Sequence, residues 1–332
     1  MVAERHAALR AWHALRHGPA SEASGSSAAD RRRLVAHDLL ATARLRRVIE
    51  ALHDTGIVVA VLKGAALGAL YPEPWMRPRH DDDLLVRPAD FERAGDTLLR
   101  LGYVRQPQSP GPEVTGQAHY RHQSRLGTHH VDLHWRLLVP PAFWQLPEAD
   151  ALLGRSVPMM GLGPWARALA PADALLHVAA HEAAHHGGPA RLDWLLDLHL
   201  LASRLTPDDW REVPASARQS RVCRVLAAGL AAAHQALGTP LPGGVLEDLD
   251  RVPAEPSARH LRSAGRLHGW WLEMRASPDG PWAAFRARAF PSPDYIMARY
   301  GVPRGVVPLA YGWRLGAGGL AWILEAVRRR GR

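Results

Sequence analysis

Three consecutive aspartates, Asp81 to Asp83, stand directly before the apolar residues 84–86, and this feature most constrains how the chain can fold. A short apolar run after a polar loop predicts a buried strand. Side chains alternate along a strand, so Asp81 and Asp83 are expected on one face and Asp82 on the other. Carboxylates held this close repel one another unless a cation neutralises them. The pattern therefore predicts a cation site, with a solvated acidic turn as the alternative.

A second informative segment lies just upstream of the aspartates. Residues 57–62 (IVVAVL) are apolar and mostly β-branched, which predicts a buried strand, and Gly64 follows where a helix is expected to begin. Backbone N–H groups at a helix start bind phosphate, and glycine allows close approach. Lysine occurs once in the chain, at position 63 of this segment. The residues predicted to hold a triphosphate are Lys63, Gly64, Ala65, Arg77 and Arg79.

A third carboxylate is expected from Asp132, which lies in the alternating segment VDLHW at residues 131–135. Mg²⁺ prefers a few carboxylates together with substrate phosphates. We therefore predict that Asp81, Asp83 and Asp132 are catalytic and hold Mg²⁺, with two ions in the site. The predicted chemistry is metal-assisted phosphoryl or nucleotidyl transfer. His129, His130 and His134 flank Asp132 and are interpreted as structural imidazoles, with a contact to phosphate or acceptor as the alternative.

Residues 61–103 closely resemble the uncharacterised nucleotidyltransferase family of the DNA polymerase beta-like superfold. The shared motifs occur in order along the chain, and VDLHW is similar to the third-acid strand of that family. The resemblance covers about residues 35–240, and residues 169–210 are similar to the helical half. The matching residues are Lys63-Gly64, Tyr71-Pro72, Arg77, Asp81, Asp83 with residues 84–86, and Gly102-Tyr103.

The resemblance implies a Mg²⁺-dependent enzyme that moves a nucleotidyl group from an NTP-type donor to a small-molecule or peptide acceptor. The resemblance also suggests an accessory enzyme of a modified-peptide or small-molecule pathway. The alternative is an inactive nucleotide- or peptide-binding accessory protein on the same fold. Two departures from the pattern are Ala65, where the superfold usually has serine or glycine, and Asp82, where an apolar residue is usual.

The expected fold class is α+β, with a small mixed-sheet nucleotidyltransferase core followed by a mainly helical C-terminal half. Helical periodicity covers residues 31–55 and recurs in four segments between residues 171 and 237. We predict an N-terminal helix and flexible tether at 1–34, the core at 35–160 and a helical domain at 161–240. A Trp- and Arg-rich extension occupies 241–332.

His181, Glu182 and His185 form a competing motif, because they match the zinc-hydrolase pattern HExxH on a predicted helix. The third histidine of the longer form of that motif is replaced by Arg191, which cannot ligate zinc. We interpret the histidines of this helix as partly buried residues, some of them facing the active-site cleft. A zinc hydrolase is the less favoured alternative.

Composition limits the remaining choices. The formal net charge is +9, which favours an anionic partner, but no interleaved basic and aromatic module favours nucleic acid. A single cysteine, no apolar run of about 18 residues and no secretory signal predict a cytoplasmic protein. The end of the chain, residues 315–332, is apolar and then basic. It fits a helix lying on anionic lipid or an ordinary helix with cations at its C-terminus.

Overall fold

A mixed seven-stranded sheet is the centre of the computed structural model, which describes residues 28–109, 111–186, 191–262 and 280–316. The expected N-terminal tether and the last part of the Trp/Arg-rich extension, including Arg328 to Arg330, fall outside the described residues. The strands are β1 (Ala60–Val61), β2 (Asp82–Leu85), β3 (Val104–Arg105), β4 (Gln117–Ser124), β5 (Gly127–His134), β6 (Val157–Pro158) and β7 (Arg167–Ala168), in the order β3-β4-β5-β2-β1-β7-β6.

Helices cover both faces of this sheet and form the second half of the chain. Those of the first half are α1 (Ala28–Asp54), α2 (Gly64–Gly68), α3 (Phe91–Arg100), α4 (Pro112–Thr115) and α5 (Ala149–Arg155). The second half contains α6 (Pro171–His186), α7 (Leu192–Ala202), α8 (Pro207–Gln219), α9 (Cys223–Leu237), α10 (Val245–Asp250), α11 (Gly280–Ala289), α12 (Pro293–Tyr300) and α13, which covers residues 307–316. The expected α+β fold class is confirmed.

The strand expected at residues 57–62 is shorter than the sequence predicted. Only Ala60 and Val61 pair with β2, opposite Leu85 and Leu84. Ala60 pairs with Leu85, the last residue of β2, so residues 57–59 lie beyond the end of the partner strand. The strand is therefore limited by its partner rather than by its own β-branched residues.

The two faces of the sheet bury different cores. Leu84 packs with α1, α3 and the neighbouring strands in one cluster, and Leu85 packs with α6 to α9 in another. Because side chains alternate, Asp82 shares the face of Leu84, whereas Asp83 shares the face of Leu85. The two aspartates are thus directed into different surroundings, one beneath α1 and one toward the helical half.

Two of the expected domain limits fall within continuous structure. Helix α1 spans position 34, and the β6–β7 pair spans position 160, with β7 joined in parallel to β1. The division of the chain into separately folding units stays a prediction.

Candidate active site

Asp83 and Asp132 lie side by side because β2 and β5 are parallel neighbours with these two residues opposite each other. His134 is two residues beyond Asp132 on β5 and therefore projects from the same face. Ligand atoms of Asp83, Asp132 and His134 all lie within 4.8 Å of one another. Carboxylate oxygens suit Mg²⁺ and Mn²⁺, and an imidazole nitrogen is a further ligand for first-row metals. This donor set fits a divalent cation.

The surroundings of His134 also fit a ligand role. Its Nδ1 atom lies 3.3 Å from the carbonyl oxygen of Arg136, and its Nε2 atom lies 3.1 Å from Asp83 Oδ1. A histidine that binds a metal commonly donates its second ring N–H to a backbone carbonyl, which fixes the ring. The arrangement directs Nε2 toward the aspartates. Sequence reasoning named His134 only as a flanking imidazole.

Asp81 immediately precedes β2 and lies outside the group of three ligand atoms. Its pKa is nevertheless raised, first by burial and then by the charges of Asp83 and Asp132. Mutual repulsion of this kind is relieved when a cation binds. The structure therefore brings Asp81 into the same electrostatic environment as the other two predicted acids.

Lys63 is held between the sheet and the helical half. Its Nζ atom lies 3.1 Å from Asp83 Oδ1 and 2.9 Å from His181 Nε2 on α6. Burial opposes ionisation of Asp83, but the Lys63 charge and the His134 hydrogen bond outweigh burial and keep the Asp83 pKa well below its usual value. Lys63 and Asp83 are therefore an ion pair, and His181 must be neutral to accept a hydrogen bond from Lys63.

Gly64 has a backbone conformation that explains its residue type. Its φ angle is +43°, and a Cβ atom there would lie 3.4 Å from the carbonyl oxygen of Asp81 and 3.5 Å from Cδ of Arg79. Ala65 is 5% exposed and its side chain packs in the core beneath α1. Ala65 can thus offer a ligand only its backbone.

Arg77 is not directed at the aspartates of the site. Its guanidinium group donates to both carboxylate oxygens of Asp197 on α7, with distances of 2.8 to 3.1 Å. The Tyr71 hydroxyl donates to the same carboxylate at 2.8 Å. This cluster joins the loop before β2 to the helical half. Arg77 therefore supports the packing of these two parts of the protein.

Arg79 and Asp82 form a second buried cluster on the opposite face of the sheet. Arg79 lies 3.1 Å from Asp82 and 3.2 Å from Asp38 of α1. His129 Nε2 donates to Asp82 at 2.8 Å, and its Nδ1 atom is 2.5 Å from the Tyr103 hydroxyl. The unusual carboxylate between the two predicted acids is thus neutralised by structural partners. The structure does not bring Arg77 or Arg79 together with Lys63.

His119 is a site residue that sequence reasoning missed. Strands β4 and β5 are antiparallel and place His119 opposite Asp132, and the two side chains form a 2.7 Å hydrogen bond. This hydrogen bond is the main cause of the raised His119 pKa, ahead of the charge of Asp132, while burial works in the other direction. His119 is placed at the site by the pairing register of the β4–β5 hairpin, and the sequence pattern alone does not specify that register.

The HExxH histidines belong to a stripe on α6 that faces Lys63. His181 lies between His177 and His185, at ring-centroid distances of 6.1 and 4.6 Å, with an edge-on contact to His177 and a tilted contact to His185. Burial, followed by the charge of Lys63, lowers the pKa of His177 to about 3 and that of His185 to about 4. In the described part of the chain, His181 and His185 do not belong to a group of three metal-ligand atoms.

A cavity of about 280 Å³ opens beside Asp81, between α1 and the turn that joins β4 to β5. Leu40 and Ala41 contribute apolar surface, while Arg44 and His80 contribute polar groups. Its wall also includes Asp82 and His129, so the cavity lies next to the buried cluster described above.

The fold and the site together define an α+β protein in which two carboxylates and an imidazole that could hold a metal ion lie beside an ion-paired lysine. The family model described as "uncharacterised nucleotidyltransferase" matches residues 6–238, well over half of the 332 residues. The chain belongs to this family.

Other comparisons add little to that assignment. One similar solved structure is that of an antigenic nucleotidyltransferase-like protein from Paracoccidioides brasiliensis. It is 16% identical, the match covers 62% of this chain and 95% of that chain, and the TM-score is 0.43. No curated protein matches the sequence. Among the described residues, no helix has the length and apolar character that crossing a bilayer requires.

Proposed function

We propose that this protein is a divalent-metal-dependent nucleotidyltransferase that transfers a nucleotidyl group from an NTP to a hydroxyl group of a small molecule or peptide. The observation that carries the proposal is the approach of Asp83, Asp132 and His134 to within 4.8 Å, directly beside Lys63, in a member of a nucleotidyltransferase family. The metal would be held by Asp83, Asp132 and His134, and Asp81 would join them when the ion relieves its repulsion.

A bound Mg²⁺ or Mn²⁺ ion would neutralise phosphate charge and stabilise the leaving pyrophosphate. The sequence favours Mg²⁺ and two ions. The imidazole of His134 makes Mn²⁺ a natural second choice, because nitrogen ligands suit transition metals better than Mg²⁺.

Lys63 is assigned to the triphosphate. An ammonium group has three N–H donors. Asp83 and His181 take two of them, so the third is available to a phosphate oxygen. The backbone of Gly64 and Ala65 adjoins Lys63 and would contribute N–H groups to the same phosphates. Arg77 and Arg79 are assigned supporting roles, since carboxylates hold their guanidinium groups.

Asp132 is assigned as the base for the acceptor hydroxyl. His119 donates to Asp132 Oδ1, which fixes the carboxylate. In the proposed step the acceptor oxygen bonds to the α-phosphorus, the bond from phosphorus to pyrophosphate breaks, and the hydroxyl proton passes to Asp132.

The proposal is tested by incubating the protein with each α-³²P-labelled NTP, Mg²⁺ or Mn²⁺, and pools of hydroxyl-bearing metabolites and peptides. Transfer of label with release of pyrophosphate is expected from wild type, and not from Asp83→Asn. Tight NTP binding without label transfer to any pool would instead favour the inactive accessory protein. Zinc-dependent hydrolysis of the supplied metabolites or peptides, with no transfer of label, would favour the zinc hydrolase that the HExxH motif suggests.

A further inference from the structure

Helix α13 has a solvent-facing side without a charged residue. Its inward residues Val307 and Ala310 are 5% and 7% exposed and pack with Ile296 of α12. On the outer side, Leu309 and Trp313 are 74% and 70% exposed. The outward side of a surface helix is normally polar, so an apolar outer side indicates that something covers it.

One further outward residue has the same character. Val306, just before α13, is 37% exposed. The one charged residue of the described helix, Arg314, is turned toward α12, where its guanidinium group lies over the ring of Tyr295 and donates to the Tyr300 hydroxyl. We call the outward set the apolar face of α13. Its members are Val306, Leu309 and Trp313, which lie within about 60° of one another around the helix axis.

Positive charge predominates in the described part of the chain that includes this face. Residues 280–316 contain five arginines and one acid, Asp294. Arg299 and Arg304 are exposed close to α13 in the sequence. An apolar face within a strongly basic region is complementary to a surface that is both apolar and anionic.

Among possible occupants, a second copy of the chain would bring a second region of the same positive charge against the first, which is repulsive. Single-stranded nucleic acid is bound by stacking bases on aromatic rings. Leu309 and Val306 are aliphatic and offer no ring. An anionic bilayer accommodates both features, with leucine and tryptophan at the acyl boundary and arginine at the headgroups.

We propose that the apolar face of α13 docks on an anionic lipid surface, with the exposed Arg299 and Arg304 contacting the headgroups. The protein would lie on the membrane without crossing it. This inference is independent of the proposed nucleotidyl transfer, because it uses none of the residues of the site.

The test is flotation of the full chain with neutral phosphatidylcholine vesicles and with vesicles containing about one-third phosphatidylglycerol, at low and high salt. We expect at least about tenfold more binding to the anionic vesicles, reduced by salt because exposed charges are screened. The variant Leu309→Ser/Trp313→Ser is expected to lose about tenfold in binding. The matched control, Leu39→Ser/Leu99→Ser, removes two exposed leucines elsewhere (64% and 48%) and is expected to bind like wild type.

Circular dichroism and thermal unfolding show whether the variants remain folded. Equal binding to neutral and anionic vesicles, no binding to either, or unchanged binding by folded Leu309→Ser/Trp313→Ser overturns the proposal. Two parallel measurements identify a different occupant and would equally overturn it. One is tighter binding to a single-stranded oligonucleotide that the variant abolishes, and the other is a concentration-dependent dimer in sedimentation that the variant dissociates.

Discussion

At the scale of single residues, the claim about the metal depends most on Asp83. Its carboxylate contacts Lys63 and His134 and lies opposite Asp132. The substitution Asp83→Asn keeps the shape and removes the charge, so we expect Mn²⁺ affinity to fall at least about 100-fold. Calorimetric titration measures this. Asp96→Asn, which removes an exposed acid from α3, is the control and should leave the affinity unchanged.

Undiminished Mn²⁺ binding by a folded Asp83→Asn protein would mean that the three ligand atoms do not form the metal site. A loss in both variants would point to non-specific binding of the ion to surface acids.

The contact between Lys63 and His181 gives a second prediction. If His181 positions the Lys63 ammonium for phosphate, then Lys63→Met and His181→Ala should each weaken NTP binding about tenfold, with the double variant little worse than either one. The variant His181→Gln, whose amide oxygen can accept a hydrogen bond, should recover part of the loss. The affinity of the four variants and of wild type is measured by equilibrium binding of a fluorescent NTP analogue in the presence of Mg²⁺.

His186→Ala, on the exposed end of the same helix, is the matched control for this cycle. Additive losses at positions 63 and 181 would show that the two side chains act independently and would contradict the positioning role.

His177 gives a prediction for the dependence of stability on pH. Burial, then the Lys63 charge, lowers its pKa to about 3 in the folded state, whereas the ordinary pKa of histidine is about 6.5. The unfolded chain binds the proton more readily, so the free energy of unfolding should fall as pH drops below 6.5 and should recover as pH rises. One histidine contributes a slope of about 1.4 kcal/mol per pH unit in this range.

Urea unfolding at pH 7.5 and 5.5 tests this prediction by comparing wild type with His177→Leu, which cannot titrate at this position. The variant should lose about 1 kcal/mol less than wild type between the two pH values. An equal loss in both proteins would show that His177 is not held neutral by burial.

At the scale of elements, the Arg77–Asp197 ion pair connects the loop before β2 to α7. The two side chains are 14% and 1% exposed, so removing one leaves the other as a buried charge. We expect Arg77→Ala to lower the free energy of unfolding by about 3–5 kcal/mol, and Arg77→Met/Asp197→Leu to recover much of that loss. Urea denaturation followed by circular dichroism gives both values.

If Arg77 instead binds the triphosphate directly, Arg77→Ala should weaken NTP binding severely while changing stability by less than about 1 kcal/mol. The two measurements together therefore distinguish a supporting arginine from a ligand-binding one.

The order of helices and strands along the chain was largely predictable from the sequence. The contacts between side chains of different helices and strands were not. Apolar periodicity located the four helices between residues 171 and 237, because the pattern is local. The predicted length of β1 was wrong, because the strand is limited by the end of its partner β2. The His119–Asp132 and Lys63–His181 contacts join residues 13 and 118 positions apart. Spacing along the chain contains no signal for either contact.

Asp82 illustrates the same limit. Alternation along the strand predicts its face, but not that Arg79, His129 and Asp38 surround it there. The HExxH pattern shows the converse: a motif with a known zinc chemistry occurs in a helix whose first motif histidine contacts the only lysine of the chain. Residue type and spacing matched a zinc motif, but among the described residues His181 and His185 belong to no group of three metal-ligand atoms.

At the scale of the whole molecule, the sheet and the helical half meet at Lys63, so the proposed donor site requires both. The proposed lipid surface, the apolar face of α13, uses none of the residues of that site.

Calorimetric binding of each NTP, with and without Mg²⁺, is the decisive experiment for the proposed nucleotidyltransferase site. Wild type should bind at least one NTP in a metal-dependent manner, and Asp81→Ala/Asp83→Ala should abolish the metal-dependent part while remaining folded. Absence of NTP binding by wild type under every condition, or equal binding by the double variant, would contradict the nucleotidyltransferase site described above.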